Sequence, residues 1–498
     1  MKNSPNYLLI IPFLLLFVQC GKVLEHDVYS SIEMNAFYDS QDAAEIGITG
    51  CYNRFFHESA YPMMICFYQV STDDVLKPSG WGHQLKQRGT LLNSNPSSGG
   101  GYSTQWARMY EAIANVNLFL ERVAEIPDDK FSGNRKQELL AEGHFLRGVS
   151  YYYLTMLWRD VPLILELQTG GPEENNVPKA PQAEVINQVK ADLAIAANDL
   201  PPVLENYKDD VVTNQRKGRA SRWAAKAYLA RIALMENDLP TALSLSDEII
   251  NSGLYPLATK WRSIVEEPMN ATESIFEMQN DYSPGFFGSG LFGWNMGFEF
   301  QLAPQVYELF ETPDELKVTQ GKDIRFEVTY GKHPWSPNPA IRKHVPPRNY
   351  DNGGIEQMNI TLIRATEVHF NKHEIAIEQN YEANKQAALD FLNFIRSRAK
   401  DDEWINPHWP VPNGTTGIPP LTLDDVDTKA KMVQALRDEK RRELMYEDGI
   451  RWFDLMRWDK EYAKQITGSP TDDYLYLPFH DEELRRNPAL VQNPAYAK

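Results

Sequence analysis

The strongest constraint in this sequence is a repeated pattern of paired, alanine-rich helices. It is clearest over 221–253, where small residues recur at helical spacing from Ala224 to Ala233, Pro240 stands in the first turn of a second helix, and Gly253 ends that helix. Small residues on one helix face allow another helix to approach closely. The pattern is typical of helical-hairpin repeats of the tetratricopeptide type, although no strict period of about 34 residues is visible.

Apolar residues at three- and four-residue spacing predict helices along most of the chain. The predicted helices cover 42–55, 106–123, 137–158, 183–200, 221–235, 240–252, 363–380, 384–399, 429–447 and 450–457. We therefore predict a mostly α fold, built as a tetratricopeptide-like helical-hairpin scaffold.

Three long segments between the predicted helices are unusually rich in aromatic residues. The segments and their most prominent aromatic residues are 77–101 with Trp81, 281–300 with Tyr282 and Trp294, and 330–352 with Trp335. Irregular segments of this length inside a compact protein are usually functional or disordered. Because disordered segments rarely keep so many aromatic residues, we predict ordered surface loops with a functional role.

The charge balance of the chain argues against strongly anionic partners. The 498 residues include 50 Lys and Arg against 68 Asp and Glu, which is a formal net charge of −18. Nucleic acids and anionic membrane surfaces are bound by clustered basic residues, so neither is predicted as a partner. With only three cysteines, a scaffold of several disulfides is also excluded.

The N-terminus predicts export from the cytoplasm. Lys2 precedes an almost unbroken apolar run over 7–18, which is too short to span a bilayer and is typical of a secretory signal. The run ends in the letters FVQC, which are similar to a loose bacterial lipobox. We predict a lipoprotein-type signal peptide over 1–19, with Cys20 as the lipidation site. The alternative is a signal cleaved further on, with Cys20 as an ordinary cysteine.

The remaining chain is predicted to consist of two parts. Residues 20–255 form an N-terminal helical-repeat part, and residues 256–498 form a C-terminal part with binding loops. We expect the two parts to form one compact body. In an exported protein, Cys51 and Cys66 either form a disulfide or remain two separate buried thiols.

The sequence carries no strong signature of catalysis. The glycine motif at 288–293 fits G-x-G-x-x-G, but the residues after it do not open the helix that a dinucleotide site requires. His369 and His373 lie four residues apart on a predicted helix, without the H-E-x-x-H order that places a general base between two zinc ligands. We therefore predict no catalytic residue, no cofactor and no metal site.

Several motifs along the chain resemble those of a known family. They read AEGHFLRG at 141–148, DVPL at 160–163, ALDFLNFIRSRA at 388–399, EKRRELMYEDGIRWFDLMRW at 439–458, LYLP at 475–478 and NPALVQNPAY at 487–496. In this order they resemble the SusD/RagB family of outer-membrane lipoproteins from Bacteroidetes. The resemblance covers essentially the whole mature chain.

The resemblance implies a SusD-like fold and binding without catalysis. Proteins of this family sit on the cell surface, anchored in the outer membrane by an N-terminal lipid. They cap a SusC-like TonB-dependent transporter and hold an oligosaccharide or polysaccharide before import. Aromatic side chains offer flat faces to sugar rings, and planar polar groups bind hydroxyls at the rim. The predicted ligand-binding residues are Trp81, Tyr282, Trp294 and Trp335, with Arg88 as the polar partner.

Other aromatic and charged residues are assigned to the structure of the protein. The tryptophans on predicted helices are expected in the core: Trp106, Trp158, Trp223, Trp452 and Trp458. The charged residues of the 439–458 motif are expected to form an ion-pair network that holds the last helices: Arg441, Arg442, Glu443, Arg451, Asp454 and Arg457. The LYLP and NPALVQNPAY segments are expected to tie the tail to the body.

Two alternative functions stay open at this point. The first is a peptide-capturing, RagB-like member of the same family, since stacking aromatic residues alone do not separate glycans from peptides. The second is a secreted glycoside hydrolase, since 68 acidic residues allow a pair of catalytic carboxylates.

Overall fold

Helices dominate the structure of this chain. The structure is a computed structural model that describes residues 37–57, 60–78, 80–94, 102–171, 176–203, 217–266, 270–279, 300–310, 323–332, 339–341, 343, 359–400 and 417–497. Within these residues, strands occur only as short two-stranded pairs. The predicted mostly α fold is confirmed.

Seventeen α-helices lie in the described ranges. They are α1 (Gln41–Phe55), α2 (Tyr61–Val70), α3 (Gly80–Lys86), α4 (Tyr102–Glu125), α5 (Arg135–Trp158), α6 (Gln182–Asp199), α7 (Arg222–Met235), α8 (Leu239–Asn251), α9 (Trp261–Glu266), α10 (Pro304–Leu309), α11 (Ile324–Thr329), α12 (Ala365–Gln379), α13 (Tyr381–Arg398), α14 (Lys429–Leu444), α15 (Ile450–Trp458), α16 (Lys460–Thr467) and α17 (Asp481–Arg486). Every predicted helix has a counterpart among them. None of the described helices is both long and apolar enough to cross a membrane.

The repeated hairpin of α7 and α8 forms where the sequence predicts it. Ser221 caps α7, because its Oγ accepts the backbone N–H of Ala224, and the carboxylate of Asp238 caps α8. Gly253 follows α8 with φ of +69°, in the left-handed region that favours glycine. Local capping chemistry thus sets both ends of the hairpin.

The long helices pack as a series of hairpins. α4 packs against α5, α5 against α6, α6 against α7, and α7 against α8. The series continues from α8 onto α12, which packs on both α13 and α14. Gly148 on α5 shows why small residues matter here, since an added Cβ would lie only 3.3 Å from Cβ of Asp192 on α6.

The segment 77–101 is more regular than we predicted. Its described part contains α3 and a π-helix over Arg88–Leu92, so the prediction of one long irregular loop was wrong here. The helix before it, α2, was also missed. Its sequence YPMMICFYQV is apolar on nearly every face, and such a buried helix lacks the amphipathic period that identifies a surface helix.

Eight short strands form four antiparallel pairs in the described residues. They are β1 (Val75–Pro78), β2 (Val161–Pro162), β3 (Lys179–Ala180), β4 (Ser274–Met278), β5 (Phe300–Leu302), β6 (Tyr330–Lys332), β7 (Pro339–Ile341) and β8 (Ile360–Arg364). The pairs are β1 with β5, β2 with β3, β4 with β8, and β6 with β7. The helix predicted from 363 begins only at Ala365, because the two residues before it end β8.

One large core includes residues from both predicted parts of the chain. Its buried side chains extend from Ala44 on α1 to Tyr496 near the C-terminus. Trp106, Trp158 and Trp452 are buried as predicted. The two other helical tryptophans, at 223 and 458, are half-buried.

Both described cysteines are structural. Cys51 and Cys66 are buried, and no disulfide joins them. The Cys51 thiol donates to the carbonyl of Asn115 at 3.6 Å, and burial raises its pKa to about 12, which keeps it protonated and unreactive at neutral pH. Of the two alternatives, a disulfide or two separate buried thiols, the second is therefore correct.

The C-terminal tail is bonded to the repeat helices. The backbone N–H of Leu477 donates to the carbonyl of Leu157 at 2.8 Å, and the indole N–H of Trp158 donates to the carbonyl of Pro478 at 3.1 Å. Further along, the side chain of Asn487 donates to the carbonyl of Val177, just before β3, at 2.7 Å. The predicted role of the tail segments is confirmed.

Candidate functional site

Strand pairing brings the ends of two aromatic segments together. β1 and β5 are antiparallel, with Pro78 opposite Phe300. In the sequence, the segment with Trp81 begins next to Pro78, and the segment with Tyr282 and Trp294 ends at Phe300. Paired residues of antiparallel strands have Cα atoms about 4.5–5.5 Å apart, so the two segments are attached at neighbouring points.

The third aromatic segment is attached beside the second. β6 and β7 form a hairpin whose connection contains Trp335, and β7 packs next to β5. On the second strand pair, Met278 at the end of β4 lies opposite Ile360 at the start of β8. The strand that precedes segment 280–299 therefore ends beside the start of the strand that follows residues 344–358. Each of the three segments is thus attached next to at least one of the others.

The predicted aromatic ligand contacts lie mainly outside the described residues. Tyr282, Trp294 and Trp335 belong to ranges that the structure does not describe. The backbone of Trp81 lies in α3, and its side chain is outside the description. The glycine motif at 288–293 is also outside. These four aromatic residues stay predictions, and the described structure adds where their segments are attached.

Arg88 is the one predicted ligand contact whose side chain is described, and it is buried. Its Nε–H donates to the carbonyl of Leu85 at 3.1 Å, and its terminal nitrogens donate to the carbonyl of Leu475 and the hydroxyl of Ser71. Its guanidinium also lies 5.0 Å from the ring centroid of Trp452. Since it is only 1% exposed, the prediction of Arg88 as a polar partner of the ligand is corrected. Arg88 joins the π-helix to the C-terminal part.

A buried ion-pair network holds elements that lie next to the aromatic segments in the sequence. Its cations lie at the start of α11, just after β7, at the end of β8 and at the end of α13. Three guanidinium groups donate to the Glu443 carboxylate on α14: Arg325 at 3.0 Å, Arg364 at 3.0 Å and Arg398 at 2.8 Å. Glu447 binds Arg364 at 2.8 Å and Lys343 at 2.6 Å. Buried charges require such partners, so the network fixes the positions of these elements.

The network lowers the pKa of its carboxylates. Burial alone would raise the pKa of Glu443, but the surrounding guanidinium groups outweigh burial and hold this pKa well below its ordinary value. In the same way, Arg364 and Lys343 outweigh burial at Glu447 and lower its pKa to about 2. Both carboxylates are therefore ionised in the folded protein at neutral pH.

We expect the stability of the protein to fall steeply below about pH 4.5. The Glu447 pKa of about 2 lies below its ordinary 4.5, so this group stabilises the fold above pH 4.5 and loses that contribution as the pH falls toward 2. Asp448 changes the stability with pH in the opposite direction, because burial raises its pKa from 3.8 to about 6. Its contribution to stability is present below pH 3.8 and is lost as the pH rises through 6. Thermal unfolding from pH 7 to pH 3 should show Tm held to about pH 5 and then falling. A constant Tm between pH 5 and pH 3 would count against the network.

The charged motif at 439–458 forms the predicted ion pairs, partly with residues that we did not predict. Arg451 binds Asp73 at 2.9 Å, and Arg441 binds Asp74 at 2.7 Å, both just before β1. Further pairs are Lys440 with Asp454 at 2.9 Å, Arg442 with Glu439 at 2.8 Å, and Arg457 with Glu374 at 2.7 Å. The sequence does contain a signal for these two aspartates, because no other Asp, Glu, Lys or Arg occurs over 60–76. Two charged residues in an otherwise uncharged, apolar stretch predict ion pairs with residues elsewhere in the chain.

The histidine pair on α12 packs against an aromatic ring. The rings of His369 and His373 stack on Phe391, with centroid distances of 5.7 Å and 4.6 Å. Burial lowers the pKa of both histidines to about 4, so both are neutral at pH 7. The described residues contain no cluster of three His, Cys, Asp or Glu side chains that could hold a metal ion.

Comparison with known proteins identifies the family. A model described as SusD-like, starch-binding and associating with the outer membrane, matches residues 27–234. A second model, of the SusD family, matches residues 338–470. The chain therefore belongs to the SusD/RagB family, as its motifs predict.

Relatives and solved structures agree with this assignment. SusD-like protein P38 of Formosa agariphila is 24% identical over 539 residues, which cover 99% of each chain. A SusD-like protein of Bacteroides ovatus is 24% identical over 91% of this chain and 82% of its own. A laminarin-binding SusD-like protein has a TM-score of 0.68 at 21% identity, covering 92% of this chain and 100% of its own. A SusD-like carbohydrate-binding protein of Bacteroides fragilis has a TM-score of 0.69 at 20% identity, covering 91% and 100%. The SusD-like fold is confirmed.

Proposed function

We propose that this protein captures an oligosaccharide or polysaccharide at the cell surface and passes it, chemically unchanged, to a SusC-like TonB-dependent transporter. The observation that carries the proposal is the side-by-side attachment of three aromatic segments to a SusD-like fold. Family membership supports the same conclusion, because the matching model is described as starch-binding and associating with the outer membrane.

The proposed ligand surface consists of Trp81, Tyr282, Trp294 and Trp335. Sugar rings present C–H faces that pack well on indole and phenol rings, and these rigid side chains lose little conformational entropy on binding. Strand ends held by a buried ion-pair network give the segments fixed points of attachment. A long carbohydrate can then contact aromatic residues from all three segments at once.

The proposed location is the outer face of the outer membrane. Residues 1–36 lie outside the described residues, so this part of the proposal rests on the apolar run and the FVQC letters. In the proposal, Cys20 becomes the N-terminal residue and bears the lipid. A single acyl chain binds membranes only weakly, whereas several chains on one cysteine anchor a protein stably.

Replacing either Trp81 or Trp294 by Ala is expected to weaken polysaccharide binding by about 30-fold. This corresponds to the roughly 2 kcal/mol that a central aromatic contact contributes to an interface. Binding is measured by affinity electrophoresis and calorimetry on the purified full chain, with laminarin first because one structural neighbour is named for binding it. Starch and other soluble polysaccharides follow.

The control variant for this test is Trp223→Ala. Trp223 is a half-buried indole at the start of α7, on the helical scaffold. Its loss should leave polysaccharide affinity unchanged while thermal unfolding confirms that all three variants are folded. If Trp81→Ala and Trp294→Ala both retain the affinity of the parent protein for every bound glycan, the proposed ligand surface is incorrect.

Two further measurements separate the alternatives. A screen of peptides beside glycans tests the RagB-like alternative, which predicts retained peptides and no retained glycan. Incubation with each bound polysaccharide, followed by size analysis of the products, tests the hydrolase alternative. Sustained shortening of the polymer would refute the proposal that the ligand is passed on unchanged.

A further inference from the structure

A separate pocket lies where the repeat helices meet the last helices. It has a volume of about 250 Å³ and is formed by α5, α6, α7, α15 and the start of α16. Beside the ring of Tyr476, its lining contains seven apolar side chains: Met156, Ala183, Ile186, Ile232, Met235, Phe453 and Met456. None of its lining residues belongs to the three aromatic segments, so the pocket is distinct from the proposed ligand surface.

The lining favours an apolar ligand of moderate size. Three of its seven apolar side chains are methionines, whose flexible thioethers adapt to ligands of different shape. A dry cavity of roughly 150 Å³ holds benzene, so this pocket has room for a chain of about eight carbons. Each methylene group that such a ligand buries in the pocket strengthens its binding, because apolar surface leaves water.

The charges at the pocket mouth favour an anion. Two of the three charged lining residues already have partners: Glu236 is bound by Lys190 at 2.8 Å, and Arg457 is bound by Glu374 at 2.7 Å. The third, Lys460, is exposed and forms no ion pair with another described residue. Within the described part of the chain, a positive charge without an ion-pair partner therefore stands at the mouth of this pocket.

We infer that this pocket binds a medium-chain carboxylate, with its hydrocarbon chain among the methionines and its carboxylate beside Lys460. Such a ligand satisfies both features together, because the apolar tail leaves water while the charged head stays at the solvated rim. A neutral alcohol of equal length would gain the same burial without the ion pair. The inference does not depend on the proposed capture of glycans.

The test compares octanoate with octan-1-ol by calorimetry on the purified full chain at pH 7. We expect octanoate to bind about fivefold more tightly, which is the effect of about 1 kcal/mol from one ion pair with an exposed lysine. Lys460→Gln should reduce octanoate to the affinity of octan-1-ol. Ala183→Trp should weaken both ligands at least tenfold, because Ala183 lies at the pocket rim and an indole there fills the cavity.

The matched control is Ala194→Trp. Ala194 is an exposed residue three turns further along α6 and does not line the pocket, so both affinities should equal those of the parent. Octanoate that fails to bind at millimolar concentration would overturn the inference. So would binding that Ala183→Trp leaves intact, or a preference for octanoate that survives Lys460→Gln.

Discussion

Replacing Glu443 by Gln is expected to destabilise the protein by about 3–5 kcal/mol, because it removes one negative charge from a buried cluster in which the remaining carboxylates no longer balance the arginines. The substitution keeps the size of the side chain and removes its charge. Its three guanidinium partners are Arg325, Arg364 and Arg398, whose side chains are at most 2% exposed. Water therefore does not replace the lost interaction.

The measurement is the free energy of unfolding from urea titration of the parent and the variant. The matched control is Glu111→Gln on α4, where Glu111 pairs with Arg108 at 2.7 Å but both side chains are more than a third exposed. Exposed pairs of this kind contribute about 0–1 kcal/mol. A loss at Glu443 no larger than at Glu111 would show that the network does not stabilise the fold.

Replacing Gly449 by Ala is expected to cost about 2–4 kcal/mol. Gly449 stands at the start of α15 with φ of +70°, a conformation that costs other residues roughly 1–2 kcal/mol. An added Cβ would also lie 2.7 Å from Cβ of Tyr68, which is fully buried. Overpacking of a buried site typically adds about 1–3 kcal/mol.

Gly50→Ala provides the matched control for this substitution. Gly50 lies inside α1, and a Cβ built on it would meet no atom within 4 Å. Because alanine favours helix more than glycine does, Gly50→Ala should stabilise the protein by up to about 1 kcal/mol. The Tm should therefore fall for Gly449→Ala and rise for Gly50→Ala. A neutral Gly449→Ala would show that the turn before α15 adapts freely.

The helical scaffold was predictable because its signals are local. Ser221, Pro240 and Gly253 act within one or two turns of themselves, and the spacing of small residues reports which helix faces pack. The family motif at 439–458 was likewise assigned to ion pairs, because charged residues at helical spacing more often stabilise a fold than bind a ligand. Both kinds of inference need only neighbouring residues.

The connections between distant segments were not predictable in the same way. Pairing of Pro78 with Phe300 joins residues with no periodic relation in the sequence, and the same holds for Arg451 with Asp73. Arg88 shows the consequence of this limit. A cation beside an aromatic segment suggested a ligand contact, whereas two of its partners, the carbonyl of Leu475 and the ring of Trp452, lie hundreds of residues away in the sequence. Three-dimensional structure was needed to correct its role.

The bond from Trp158 to Pro478 has a consequence for synthesis of the protein. The ribosome makes Trp158 320 residues before the carbonyl that accepts its indole N–H. Until then, the apolar edge of α5 has no tail to cover it, and half-made chains are prone to aggregate. The nascent protein should therefore depend on a chaperone until translation ends, and chains that stop before Leu477 should be degraded rather than accumulate.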